Sequence, residues 1–209
     1  PEESVTVKDF IEDRFNGNTS FFEEYNYFKK SSVDVNIEKI LKIDKKKKNI
    51  FLFSNVFWDI GISNFGFLFK DIQEWVLYTI KILNQKSNNI HLYIKPHPGE
   101  TKNSLGSTNG IEDIIRKQFP EIPDNITIIN PNWDIKPYDL FPFIDLGVVN
   151  NGTLGLEMMY KNIPVVTTGK APYRDLSLSI DPQTIDEYKK CLLSNIKPKN
   201  IDHSKLELF

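Results

Sequence analysis

Four short stretches of this sequence carry side chains that can do chemistry together. Lys95-Pro96-His97-Pro98-Gly99-Glu100 sets a histidine between two prolines. Proline fixes its own φ and biases the residue before it toward extended backbone, so His97 is held outside any helix. A histidine fixed in this way can donate to a phosphate oxygen and share charge with a departing phosphate. As an isolated His-Pro pair it would only close a turn. Lys95 either adds positive charge there or extends its amine to solvent. Asn150-Asn151-Gly152-Thr153-Leu154-Gly155-Leu156-Glu157 has a second logic. An apolar run ends at Val149 and a helical pattern begins near Thr153, and helix N-termini offer unbonded N–H groups and partial positive charge to an anion. Gly152 lets the chain turn tightly and lets a phosphate come close. Thr153 can cap the helix, donate its hydroxyl to a phosphate, or do both. Glu157, a turn further on, can accept from ribose hydroxyls. Alternatively it pairs with Thr153 in a capping box, although Thr-x-x-x-Glu is one residue longer than the usual spacing.

Two further stretches are weighed beside these. In Thr168-Gly169-Lys170-Ala171-Pro172-Tyr173-Arg174, Gly169 permits a tight turn. Either Tyr173 or Arg174 faces a substrate, or the whole is a surface turn with exposed basic residues. In Ser54-Asn55-Val56-Phe57-Trp58-Asp59, an aromatic ring can pack on a sugar or base and Asp59 can bind hydroxyls. Trp58 can equally be buried between domains. His97 is thus the catalytic candidate. The binding candidates are Ser54, Asn55, Asp59, Lys95, Pro98, Asn151, Gly152, Thr153, Glu157, Gly169 and Arg174.

The elements needed to position these residues follow from hydrophobic spacing. Short apolar runs predict strands at Asn49–Phe53, Ile90–Ile94, Asn125–Ile129, Ile144–Val149 and Ile163–Thr167. Helical spacing predicts helices over 67–85, 110–119, 138–141, 154–160 and 184–193. Strands alternating with helices predict an α/β fold, a Rossmann-like parallel sheet with helices on both faces. Ligands of such sheets bind beyond the carboxyl ends of the strands, near the point where strand order reverses. Every candidate above lies in a loop at that edge or on the first turns of the helix that follows it. Residues 1–44 are polar and aromatic by turns, with helical spacing over 7–15 and 21–28, and read as a helical or linker segment before a Rossmann-like main domain at 45–209.

Composition narrows the function classes. A net charge of −2 gives no general basis for binding nucleic acid through its phosphates. The run Lys45–Lys48 is either a solvated loop before a buried strand or a contact for an acidic membrane surface. One cysteine, Cys191, excludes a disulfide within the chain and suits a reducing compartment, which predicts a cytoplasmic protein. No run approaches the roughly 18 apolar residues of a membrane span. The opening Pro-Glu-Glu-Ser carries no initiator methionine or signal-peptide pattern, so the chain reads as part of a longer protein. A phosphate-binding Gly-x-x-x-x-Gly-Lys-Ser/Thr loop, a Gly-x-Gly-x-x-Gly turn after the first strand and a Gly-x-Ser-x-Gly elbow are all absent. His91, His97 and His203 lack metal-ligand spacing, so no metal and no cofactor is expected.

Taken in order, these blocks resemble the capsule polysaccharide biosynthesis protein family, similar to bacterial Kdo transferases and other glycosyltransferases of the GT-B fold. The resemblance runs from about Asn49 to Leu193. It includes Phe53–Asp59, Ile94–Glu100, Pro123–Ile126, Lys136-Pro137-Tyr138, Gly152–Glu157 and Asn162–Gly169. It implies one half of a GT-B enzyme, the C-terminal domain that holds a nucleotide-sugar donor in a cleft against a similar N-terminal domain. By that match His97 contacts the nucleotide phosphate, Asn151 and Thr153 form the later phosphate loop, and Glu157 holds the ribose. Relatives with a Ser-Ser/Thr pair in that loop use CMP-sugars, and this chain has Asn150-Asn151-Gly152-Thr153 instead. The departure bears on the donor's identity more than on the phosphate site. The resemblance implies transfer of a sugar such as Kdo from a CMP-sugar to a polysaccharide or glycolipid acceptor, without an Asp-x-Asp metal site. The catalytic base of such enzymes usually belongs to the N-terminal domain, so the fragment alone can bind without turning over. Relatives that transfer glycerol phosphate from CDP-glycerol also use a His-Pro loop. A non-catalytic binding module and an NDP-sugar epimerase of related fold are the remaining alternatives.

Overall fold

The computed structural model describes residues 9, 11–13, 36–55, 68–86, 89–101, 110–196, 201 and 203–206. Five strands form one all-parallel sheet: β1 (Lys48–Phe53), β2 (Ile90–Lys95), β3 (Ile126–Ile128), β4 (Leu146–Val149) and β5 (Val165–Thr167). The spatial order is β3-β2-β1-β4-β5. Strand order therefore runs outward from β1 on one side and restarts with β4 on the other, so the reversal lies between β1 and β4. From residue 36 on, the helices beside the sheet are α1 (Ile37–Ile40), α2 (Ile72–Lys86), α3 (Ile111–Gln118), α4 (Pro137–Leu140), α5 (Thr153–Tyr160), α6 (Ile185–Leu193) and α7 (His203–Leu206).

The sheet is buried on both faces because its strands alternate apolar side chains to both sides. Ile50 and Leu52 of β1, Leu92 and Ile94 of β2 and Val148 of β4 pack with Trp75, Val76, Ile80 and Leu83 of α2, Ile115 of α3 and Tyr188 of α6. Phe51 and Phe53, Tyr93 and Val149 face the other way, onto Met158 and Met159 of α5 and Tyr138 and Leu140 of α4. Phe51 and Tyr93 stack with centroids 4.5 Å apart across the strand pair. Residues 36–44 join this second layer, with Ile37, Leu41 and Ile43 buried in it.

Helix limits follow local chemistry. The helix predicted over 67–85 starts at Ile72, because the Asp71 carboxylate accepts from the Glu74 N–H at 2.8 Å and ends the incoming chain there. Thr184 performs the same task for α6 through the Glu187 N–H at 3.1 Å. β5 begins at Val165 and not at Ile163. The Ile163 N–H is spent on the Met158 carbonyl at 3.0 Å, closing the end of α5, while Asn162 turns with φ 58°. β4 likewise begins at Leu146, since Ile144 still closes a turn onto Phe141. Of the helices expected before residue 36, residues 11–13 are helical; the rest of 7–15 apart from residue 9, and all of 21–28, lie outside the described residues.

Candidate functional site

The strand order brings the candidate loops to the reversal. Asn55, just beyond β1, donates from its side-chain amide to the side-chain Oδ1 of Asn151, just beyond β4, at 3.1 Å. The loops that leave the neighbouring strands β1 and β4 at the reversal are thereby tied by two of the residues singled out from sequence. Ser54 links β1 to the His-Pro loop on its other side. Its N–H donates to the Lys95 carbonyl at 3.1 Å, and its hydroxyl reaches Glu100 at 3.5 Å. Asp59 lies outside the described residues.

The His97 turn is set by its neighbours. Pro98 opens a short 3-10 turn over Pro98–Thr101, and the Glu100 N–H donates back to the His97 carbonyl at 3.0 Å. The imidazole Nδ1 accepts from the Gly99 N–H at 3.0 Å. An Nδ1 that accepts assigns the proton of the neutral ring to Nε2, so Nε2 is a hydrogen-bond donor. Glu100, absent from the sequence-based candidates, holds the loop in place. One carboxylate oxygen accepts from the Ile111 N–H at 2.8 Å at the start of α3, and Gly110 leaves room for it, since a Cβ there would come within 3.0 Å. Burial raises the Glu100 pKa, while the N–H and hydroxyl donors around it lower it. The pattern of a carboxylate ten residues ahead of a predicted helix carried no local signal.

Lys95 does not extend to solvent. It is 4% exposed at the end of β2. Burial lowers its pKa to about 8, helped by repulsion from Lys136 and opposed by attraction to Glu100. The site edge therefore holds a cation that is costly to keep charged, and an incoming anion would offset that cost.

The second turn differs in detail from expectation. Gly152, with φ 98° and ψ 166°, is the cap of α5, and Thr153 is the first helical residue and exposed. The capping-box reading of Thr153 and Glu157 is thereby excluded, since the cap position has no side chain. A Cβ on Gly152 would meet nothing within 4 Å, so its backbone demands glycine while the space above the helix start is open. Beneath this turn lies Tyr173, fully buried, whose hydroxyl donates to the Gly152 carbonyl at 3.0 Å. Gly155 is glycine because a Cβ there would fall 2.1 Å from that hydroxyl. Tyr173 thus supports the turn from below and does not face the cleft.

Three candidates take structural positions. Glu157 is 1% exposed, and its Oε2 accepts from the Tyr138 hydroxyl at 2.7 Å, tying α4 to α5. Its carboxylate is turned under the helix and not toward the open face where a ribose was expected. Arg174 is buried too, donating to the Thr167 carbonyl at 2.8 Å and the Pro182 carbonyl at 2.6 Å. Its guanidinium satisfies the carbonyls of the turn after β5, which corrects the expectation that it faces a substrate. Gly169 is needed because the Asn150 side chain occupies the place of its Cβ, 2.6 Å away. Asn150 and Thr168 thus clasp the ends of β4 and β5.

The connection from β3 to α4 forms a further rim. Asn130 organises it by accepting from the Asn132 N–H at 2.8 Å, and Trp133 stands out 44% exposed. Sequence reading passed over this tryptophan, although an aromatic residue in a loop at a carboxyl edge was the available signal. Among the described residues no group of three or more His, Cys, Asp or Glu is placed to hold a metal.

No family model matches the sequence, and no curated protein matches it. Solved structures do share the fold. The β-Kdo 2,4 transferase KpsC of Thermosulfurimonas dismutans is 14% identical, with a TM-score of 0.53 over 96% of this chain and 53% of that one. A Listeria monocytogenes protein classed as a UDP-N-acetylglucosamine 2-epimerase is 13% identical, with a TM-score of 0.52 over 78% of this chain and 40% of that one. S. aureus MnaA, solved with UDP, is 15% identical, with a TM-score of 0.51 over 85% of this chain and 42% of that one. The chain spans about half the length of the structures it resembles. Its fold is thus the Rossmann-like, all-parallel α/β fold that it shares with these structures.

Proposed function

We propose that this chain is the donor-binding half of a glycosyltransferase that moves a sugar, Kdo being the favoured case, from a CMP-sugar to a capsule or other surface polysaccharide or glycolipid. The observation that carries this reading is the meeting of three loops at the strand-order reversal, joined by the Asn55–Asn151 and Ser54–Lys95 bonds. His97 and the N–H groups opening α5 bracket a place for the donor phosphate, and Lys95 lends charge. The acceptor hydroxyl attacks the anomeric carbon, the bond from that carbon to the phosphate oxygen breaks, and the nucleotide leaves with the electron pair. The acceptor's proton goes to a base on the N-terminal half of the enzyme. His97 and the helix start stabilise the negative charge that builds on the departing phosphate. The work is done on the cytoplasmic side, at the inner face of the membrane.

Calorimetric titration with CMP, UDP, GDP and CDP tests the reading. CMP should bind most tightly, and the chain alone should bind without transferring sugar. Preference for UDP would favour an epimerase-like chemistry over CMP-sugar transfer, and preference for CDP a glycerophosphotransferase. Absence of binding to all four would remove the donor site altogether.

A further inference from the structure

The sheet has a second edge, where its strands begin. There the lysine run leads into β1 beside a cleft of about 740 Å³, lined by Lys45, Lys46 and Lys47 with Asn89, Asn162 and Asn195. Between residues 38 and 48 six lysines stand against two carboxylates, in a chain whose net charge is −2. Positive charge is therefore concentrated on this edge. Part of it is already committed. The Lys48 amine donates to the carbonyls of Leu192, at 2.9 Å, and Ser194, closing the end of α6, and burial lowers its pKa to about 8. Lys45 pairs with Glu38 at 2.7 Å, and the Ile43 N–H also returns to the Glu38 carbonyl, which folds 38–45 into a compact turn. The other nearby acids are held by backbone N–H groups, Asp44 by that of Lys46 and Asp145 by that of Asn49.

What remains is a surface of distinct character. Lys39, Lys42 and Lys46 are exposed and Lys47 is half-buried, and none of these four forms an ion pair among the described residues. In their midst Ile40 is 44% exposed on α1. A small soluble anion would use neither the spread of these amines along the turn nor the isoleucine. An acidic bilayer uses both: lipid headgroups take the amines, and the interface takes the apolar side chain. We propose that this edge docks the chain on an anionic membrane surface. β1 is six residues long and rises roughly 3.3 Å per residue, so the candidate donor site faces away from the bilayer, on the order of 20 Å above it. A nucleotide sugar then enters from the aqueous side.

The test is co-sedimentation of the chain with phosphatidylcholine vesicles made with and without phosphatidylserine. Binding is expected only to the phosphatidylserine vesicles and should weaken as salt rises. The combined variant K42Q/K46Q/K47Q should bind on the order of a hundredfold more weakly, each lysine near an acidic surface counting about tenfold or less. Ile40→Ala should weaken binding several-fold without changing its salt dependence. Thermal melting of the variants at the wild-type temperature would establish that they fold. Their nucleotide titration should be unchanged, which separates this surface from the donor site. Wild-type chain that ignores acidic vesicles, or a triple variant that binds them equally well, would overturn the proposal. So would capture of soluble polyphosphate at these lysines with no vesicle binding.

Discussion

Gly152 concentrates the account at the scale of single residues. Its φ of 98° is open to glycine and strained for other residues, and no neighbour crowds the place of its Cβ. Gly152→Ala should therefore lower stability by about 1–3 kcal/mol through backbone strain alone, visible as a lower midpoint in urea. It should also weaken nucleotide binding, because the N–H groups behind it would turn. His97→Ala should cost about 1–3 kcal/mol of nucleotide affinity, the scale of a lost charge-assisted hydrogen bond, with little change in melting temperature. Unchanged CMP affinity in calorimetry would remove His97 from the site. Gly155 and Tyr173 form a pair to be tested together. Gly155→Ala drives a methyl group into the tyrosine hydroxyl, and Tyr173→Phe withdraws that hydroxyl while leaving the Gly152 carbonyl without its donor. The double variant should be more stable than the sum of the two single losses implies, by about 0.5 kcal/mol or more. Strict additivity in urea denaturation would show that the contact does not support the turn. At this scale the sequence spoke through residue type and neighbours. Prolines around a histidine and a glycine before a helix were legible. The burial of Glu157 and Arg174 was not, because it depends on Tyr138, Thr167 and Pro182 arriving from separate elements.

At the scale of elements, the end of β2 stores an electrostatic tension. Lys95 is buried there with its pKa pushed down to about 8 by desolvation, whereas in the unfolded chain it titrates near 10.4. Between these values the unfolded chain holds a proton that the folded chain has released, so this group makes stability rise with pH from about 8 to 10.4. Below pH 8 the buried charge costs stability. Lys95→Met should remove its share of that rise, read in urea melts across the range, and should be no less stable than wild type at pH 7. The same variant should bind nucleotide more weakly. In wild type, phosphate affinity should fall as pH climbs through 8 and the amine loses its charge. A pH-independent affinity would place Lys95 outside the anion's reach. The elements themselves were largely legible. Strands bounded by turns and helices with 3.6-residue spacing were expected within a few residues of where they stand. The misplacements have local causes: Asp71 caps α2 late, and the closing of α5 consumes the Ile163 N–H that a strand would have used. The 3-10 turn over Pro98–Thr101 was too short to announce itself.

At the scale of the whole molecule, the order β3-β2-β1-β4-β5 brings separate loops to one edge of the sheet. Spacing along the sequence predicted a parallel sheet. It could not predict that β1 and β4 would be neighbours, and it is that neighbourhood which sets Asn55 against Asn151. The proposed donor-binding role predicts nucleotide binding by the chain alone and sugar transfer only when a complementary half is supplied, which a sugar-transfer assay with and without that half would register. In the proposed function, the turn at 152–155 and the imidazole of His97 hold one phosphate between them. Backbone and imidazole NMR shifts recorded during titration with CMP, and separately with cytidine, test it most directly. CMP is expected to move the amide signals of Gly152 to Gly155 and the ring signals of His97 together, with one shared affinity, while cytidine leaves them nearly still. Equal responses to both ligands, or a response at only one of the two turns, would contradict it.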